Sequence, residues 1–360
     1  MSVSIGIVGL PNVGKSTLFN ALTDNNILAA NYPFATIEPN TGIIAVPDER
    51  LAVLRDLYSA EKVIPAVVTF VDIAGLVAGA SKGEGLGNKF LANIRECDAI
   101  VHVVRAFENG DVIHVSDTVN PQNDIETINT ELILADLQSL ERHIPKLERE
   151  AKSNPIARAQ IEQIGQLKTH LEQGKLVGDF PGLNTEIIQE LQLLTAKPVI
   201  YVFNVDEDTL ADDVKKETLS ALVAPALSTF ICAKLEEELR GLPEEDAAEL
   251  LASYNVEESG LAQLARVAYT TLGLQSYLTA GPKEIRAWTI RVGSTAPQAA
   301  GVIHTDFEKG FIAAAIVDYD DLIAAGSETA AKAAGKMRTE GRDYVMRPGD
   351  VVEFRFNVSK

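Results

Sequence analysis

Gly9-Leu10-Pro11-Asn12-Val13-Gly14-Lys15-Ser16 decides the reading of this chain. The octapeptide fits the phosphate-binding pattern G-x-x-x-x-G-K-[ST] without a mismatch. Its flanks agree with it. Val3, Ile5, Ile7 and Val8 form a short β-rich apolar run before it, and Ser16-Thr17-Leu18-Phe19-Asn20-Ala21 opens a helical pattern after it. A strand, a glycine turn and a helix N-terminus gather backbone N–H groups and the positive end of a helix dipole around one anion. Gly9 and Gly14 let the backbone approach where a Cβ would intrude. Lys15 is placed to reach the β- and γ-phosphates, and the Ser16 hydroxyl to bind Mg²⁺. The expected nucleotide-binding turn is therefore Gly9, Asn12, Val13, Gly14, Lys15, Ser16 and Thr17, with Lys15 also catalytic.

The 360 residues exceed what one core holds, so two or three domains are expected. A content of 46% hydrophobic and 23% charged residues is that of a soluble globular protein. No apolar run reaches the roughly 18 residues of a membrane span. The N-terminus lacks a basic segment ahead of its apolar start, so no secretory leader is expected. Cys97 and Cys232 match no metal spacing and suit a reducing interior, which points to the cytoplasm. The net charge of −19 argues against a uniformly basic nucleic-acid binder, but its distribution is uneven. Residues 206–258 hold 15 acidic and 4 basic side chains, residues 142–175 hold 7 basic and 4 acidic, and residues 281–360 hold 11 of each.

Apolar runs at Val67–Val71, Ala99–Val104 and Pro198–Phe203 are separated by helical segments, the pattern of a doubly wound, mostly parallel α/β sheet. Ligands in such folds sit beyond the carboxyl ends of the strands, where Gly9, Asp72 and Asn204 fall. The stretch 125–195 interrupts the alternation. Ile133, Leu137, Leu140, Ile144, Leu147 and Ala151 make a heptad seam, Asn154-Pro155 breaks it, and Ala157, Ile161, Ile164, Leu167 and Leu171 resume it. An inserted antiparallel helical hairpin, a coiled coil, is expected there, with Pro145 kinking its first helix or shifting its start. After Gly281-Pro282 the chain turns to short alternating strands, such as Trp288–Val292 and Val351–Phe356, so a β-rich α+β module is expected. The expected domains are residues 1–124 with 196–280, the hairpin 125–195, and the module 281–360.

Thr36 lies in a loop after the first helix, and Asp72 opens D-x-x-G at Asp72-Ile73-Ala74-Gly75. Behind a P-loop these form a set: Thr36 and Asp72 join Ser16 on Mg²⁺, and the Gly75 N–H meets the γ-phosphate. Loss of that phosphate releases both loops, which makes a switch.

With these residues in view, the chain resembles a known group. The P-loop followed by Ser-Thr-Leu-Phe-Asn-Ala-Leu, the stretch Asn31 to Thr36 with Pro39-Asn40-Thr41-Gly42, and Asp72-Ile73-Ala74-Gly75-Leu76 are similar to the Obg-related translation-factor GTPases. Arg286-Ala287-Trp288-Thr289-Ile290, Ala296 to Gly301, His304 to Glu308 and Arg347-Pro348-Gly349-Asp350 resemble the TGS domain of the YchF family of Obg-like ATPases. The resemblance covers essentially the whole chain. It implies an ATPase with a ribosome and RNA-linked role, and the basic hairpin residues Arg142, Lys146, Arg149 and Lys152 are its expected rRNA phosphate contacts.

Two departures from the related GTPases bear on the chemistry. Where those carry Asn-Lys-x-Asp, this chain reads Asn204-Val205-Asp206-Glu207. Val205 removes the lysine stem that lies along the base, and Glu207 is too long for the bidentate contact to guanine. Losing such a contact removes discrimination of up to roughly 10⁴–10⁵-fold, so ATP is expected over GTP. Cys232-Ala233-Lys234 resembles the Ser-Ala-Lys loop beside the base, which places Ala233 in the site. Second, the position after D-x-x-G is Leu76, where Ras-like enzymes place a water-orienting Gln. His114, in the polar segment Asn109 to His114, is one candidate replacement. A potassium ion is another, since Asn12 occurs in relatives whose activity depends on K⁺. The expected function is a Mg²⁺-dependent, monomeric ATP-hydrolysing switch on the translation machinery. A GTP-specific translation GTPase, a nucleotide-gated ribosome-binding module with negligible turnover, and a phosphotransferase are the alternatives.

Overall fold

The computed structural model describes residues 3–24, 40–73, 86–108 and 119–357. Neighbours cover both faces of the strand Ser4–Val8 (β1), so Ile5, Ile7 and Val8 are all apolar and all buried. Around it lie Thr41–Ala45 (β2), Val67–Asp72 (β4), Ala99–Arg105 (β5), Val199–Asn204 (β6) and Leu227–Ile231 (β7), in the order β2-β4-β1-β5-β6-β7. Every pair is parallel except β2 with β4. This is the doubly wound, mostly parallel sheet that the apolar runs implied. Its P-loop helix, Lys15–Asp24, leaves directly from the glycine turn.

The second sheet has the order β11-β10-β12-β8-β9-β3, where β3 is Val63–Ile64, β8 Leu274–Ala280, β9 Ile285–Arg291, β10 Phe311–Asp318, β11 Arg338–Glu340 and β12 Asp350–Phe356. One face, with Tyr277, Ile290 and Phe311, packs on Ala296, Ala299 and Ala300 of the helix Ala296–Ile303. The other face, with Leu278, Ile285, Ala287 and Val351, is continuous with the core of the first sheet. An α+β module is thus present, but residue 281 is not its beginning. Gly281-Pro282 is the turn of the β8–β9 hairpin, and β8 on its near side already belongs to the second sheet. The breaker residues mark a reversal inside a sheet rather than a linker.

The first sheet also lends the second a strand. Between β2 and β4 the chain forms the helix Arg50–Tyr58 and then β3, which pairs in parallel with β9 through Val63↔Ile285 and Ile64↔Arg286. Bonds next to it extend the contact: Glu61 N–H donates to the Pro282 carbonyl at 3.1 Å, Ile285 N–H to the Lys62 carbonyl at 2.9 Å, and Arg50 Nη1 donates to the Pro348 carbonyl.

The inserted arm begins with a 30-residue helix, Pro121–Glu150, capped by the Asn120 side chain on Asn123 N–H. Its first half packs on the nucleotide domain through Ile128, Leu132 and Ala135. Its second half carries the heptad seam, and Leu140 and Leu147 bury against Ile164, Leu167 and Leu171 of the second arm helix, Pro155–Glu172. Pro145 lies inside the helix and does not shift its start, which is at Pro121. Pro145 is exposed, so its ring and the missing hydrogen bond lie on the solvent side. No helix among the described residues is long and apolar enough to cross a membrane.

Candidate nucleotide site

The carboxyl ends of β1, β4 and β6 converge beside the P-loop. Asn12 (φ 62°) and Gly14 (φ 95°) adopt left-handed backbone conformations that wind the turn. At Gly14 the need for glycine is also steric, since a Cβ there would lie 2.2 Å from the Asn204 side-chain nitrogen. A Cβ on Gly9 would lie 2.6 Å from the Val103 carbonyl. The turn and the helix behind it line a cleft of about 610 Å³ with Asn12, Gly14, Lys15, Ser16 and Thr17 on its phosphate side. Val13 is buried beneath them.

Lys15 folds back over its own loop, donating to the carbonyls of Gly9 at 2.8 Å and Leu10 at 2.5 Å. Burial pushes its pKa down to about 8, and the nearby Asp72 carboxylate pulls the other way. Asp72, the last residue of β4, is raised by burial and drawn back by Lys15. Lys15 and Asp72 are thus partly desolvated and act on each other's charge. Among the described residues no group of three or more His, Cys, Asp and Glu could hold a metal unaided. Mg²⁺ takes one or two protein oxygens and completes its shell with phosphates and water. Ser16 and Asp72 are donors of that kind. Thr36 and Gly75, the other expected members of the set, and His114, the candidate for orienting water, lie outside the described residues.

The other side of the cleft is built around Asn204. Its Nδ2 donates to the Val13 carbonyl at 3.0 Å, and its Oδ1 accepts from the Ala233 N–H at 3.2 Å. One buried side chain thus ties the P-loop to the Cys232-Ala233-Lys234 loop. Val205 is buried in the apolar cluster behind the cleft, and its N–H donates to Ile231. Asp206 caps the short helix Glu207–Leu210, its Oδ1 accepting from Thr209 N–H at 2.8 Å. Glu207 accepts from Lys234 Nζ at 2.7 Å across the mouth of the cleft. That bond lowers the Glu207 pKa and raises that of Lys234. Sequence reasoning did not anticipate this pair, although the two residues stand in the two loops that it assigned to the base.

Two other features were missed. Phe107 and Glu108 border the cleft, and Phe107 is held by Arg105, whose Nε donates to its carbonyl at 3.2 Å and whose guanidinium lies 4.6 Å from the ring centre. An arginine ending the apolar run of β5 was the available signal. His102, also on β5, is fully buried; burial drives its pKa down to about 3, with Lys15 acting in the same sense, so it is neutral. The arm residues Arg142, Lys146 and Arg149 lie far along the chain from this site and form one exposed stripe at i, i+4 and i+7, with the exposed Lys152 in the turn beyond.

Residues 4–137 match a family model described as 50S ribosome-binding GTPase, and residues 274–357 match that of the YchF GTPase C-terminal region, described as a protein of unknown function. A relative from Haemophilus influenzae named Ribosome-binding ATPase YchF is 51% identical over 364 residues, covering 99% of this chain and 100% of its own. The chain belongs to the YchF family. Another member so named, from Bacillus subtilis, is 48% identical over 366 residues with the same coverage, and Obg-like ATPase 1 of rice is 44% identical over 367 residues. The solved structure of the Schizosaccharomyces pombe YchF GTPase superposes with a TM-score of 0.87 at 40% identity, covering 98% of each chain. As a YchF-family member the chain is a P-loop nucleotide hydrolase. Apart from β3, the second sheet lies within the C-terminal region that the family model covers, and the match from residue 274 agrees with the start of β8.

Proposed function

We propose that this protein is a Mg²⁺-dependent ATP-hydrolysing switch that prefers ATP to GTP and acts on the ribosome as a monomer. The observation that carries the base preference is the Glu207–Lys234 ion pair, 2.7 Å long, at the position where a guanine-reading carboxylate would stand. Lys234 holds one oxygen of Glu207 and so competes with guanine for this carboxylate, and Val205 supplies no lysine stem. Several relatives are named ribosome-binding ATPases, which supports both the nucleotide and the partner. Ser16, Asp72 and Thr36 would hold Mg²⁺, which would neutralise charge on the phosphates. Lys15 would exchange its loop carbonyls for phosphate oxygens, and Gly75 would report the γ-phosphate. Leu76 cannot orient water, so His114 or a K⁺ ion beside Asn12 would assist hydrolysis. The exposed stripe of Arg142, Lys146, Arg149 and Lys152 would meet rRNA phosphates.

Calorimetry of the full-length protein with ATP and with GTP, each with Mg²⁺, tests the base assignment. Tighter ATP binding is expected; tighter GTP binding would overturn it and leave a translation-type GTPase. Glu207→Asp with Val205→Lys should move the preference toward GTP. Reversal of Lys146, Arg149 and Lys152 to Glu should weaken ribosome or RNA binding and flatten its salt dependence. Unaltered binding would remove the arm as the contact.

A further inference from the structure

Among the described residues the first sheet ends at β7, with no strand beyond it. The backbone alternation tells which groups are left over. Ile231 faces inward, because its carbonyl accepts from Val205 N–H, and the register with β6 turns Thr229 and Leu227 the same way. Ser228 and Phe230 therefore face outward, and among the described residues their backbone groups have no hydrogen-bond partner. The Phe230 carbonyl is shielded, since the backbone at Gly260 approaches so closely that a Cβ there would lie 2.9 Å from it. Ser228 N–H, Ser228 C=O and Phe230 N–H remain. Ser228 and Phe230 line a groove of about 860 Å³ between the helix Asp213–Ala221 and the loop 254–258.

Edges of this kind are normally blunted by lysine, proline, a bulge or a covering element. Pro225 before the strand and the start of the helix Gly260–Thr271 cover its two ends, but Leu227-Ser228-Thr229 between them contains neither lysine nor proline, and Leu227 leaves 44% of its surface exposed. The walls are acidic. Glu217 and Glu257 are exposed on opposite sides, without an ion-pair partner among the described residues, whereas Lys216 in the same wall is held by Asp213 at 2.7 Å. The surrounding stretch 206–258 has 15 acidic against 4 basic residues. Such walls repel a phosphate backbone and attract cationic side chains. The open ladder selects an extended chain rather than a helix.

We propose that the groove along β7 docks an extended, lysine- or arginine-rich protein segment, which adds to the first sheet as a seventh strand. Its backbone bonds Ser228 and Phe230, its apolar side chains lie on the face of Leu227, and its cations meet Glu217 and Glu257. The site is separate from the nucleotide cleft and does not depend on which base that cleft prefers.

The test uses the full-length protein and a fluorescein-labelled nonapeptide of alternating Lys and Val, followed by anisotropy at low salt. Two comparison peptides are an alternating Glu and Val sequence and the Lys–Val peptide with alternate backbone amides methylated. Saturable binding of the Lys–Val peptide is expected, with no binding of the acidic peptide and at least about tenfold weaker binding of the methylated one. Ser228→Pro, which removes an outward N–H and spares the β6 ladder, should weaken binding by a similar factor while ATP affinity holds. Glu217→Lys with Glu257→Lys should weaken it as well. Absence of binding by the Lys–Val peptide would overturn the proposal. Equal binding of the methylated peptide would overturn it too, by showing charge attraction without a ladder, and that result needs no variant to fold.

Discussion

Asn204 holds two loops with one amide, and the consequence is measurable. Asn204→Ala strands the Val13 carbonyl and the Ala233 N–H, a loss of about 1–3 kcal/mol if both stay buried. Nucleotide affinity should fall roughly 5- to 150-fold by calorimetry; an unchanged Kd would show that the P-loop holds its shape alone. Glu236 gives a pH signature. It is buried and accepts from Gly260 N–H at 2.6 Å, yet burial raises its pKa to about 7 against its ordinary 4.5. The folded chain therefore binds more protons than the unfolded chain between these values, so stability falls as pH rises from about 4.5 to 7 and stays reduced above. Glu236→Gln should remove that slope, worth at most about 3 kcal/mol, in denaturant titrations from pH 5 to 8. Parallel stability curves for the two proteins would refute the assignment. At this scale the phosphate loop was legible, because eight consecutive residues carry the whole motif. The Glu207–Lys234 pair was not, because it joins loops that only the fold brings together.

The arm shows what periodicity reveals and what it hides. The seam from Ile133 to Ala151 was readable because a heptad repeats locally and its residues do bury against the second arm helix. One part of the arm's anchoring was hidden, since it adds to the apolar contacts of Ile128, Leu132 and Ala135 a single acidic residue facing inward. Asp136 is fully buried and accepts from Leu194 N–H at 2.8 Å, from Thr195 N–H at 2.8 Å and from the Thr195 hydroxyl at 2.7 Å. These bonds clamp the long helix to the segment that leads into β6. Asp136→Ala should cost about 2–4 kcal/mol and speed amide exchange around residues 194–196 more than in the P-loop. Uniform acceleration throughout would mean that the clamp has no local role.

Across the whole molecule the two sheets share one apolar core and one stretch of chain, so thermal unfolding should be a single calorimetric transition. Truncation after residue 273 removes β8 to β12 and uncovers β3 and the helix Arg50–Tyr58; this fragment should melt at lower temperature and aggregate. Two separated transitions in the intact protein would contradict this. The parallel sheet was legible from its apolar runs, but the pairing of β3 with β9 was not, because a two-residue strand has no periodicity to display. That pairing also has a temporal side. Ile64 leaves the ribosome about 220 residues before the strand that receives it, a wait of roughly 10–45 s at ordinary elongation rates. Throughout that interval the stretch joining β2 to β4 has no docking surface, so the nucleotide domain is completed only when the last quarter of the chain has been made.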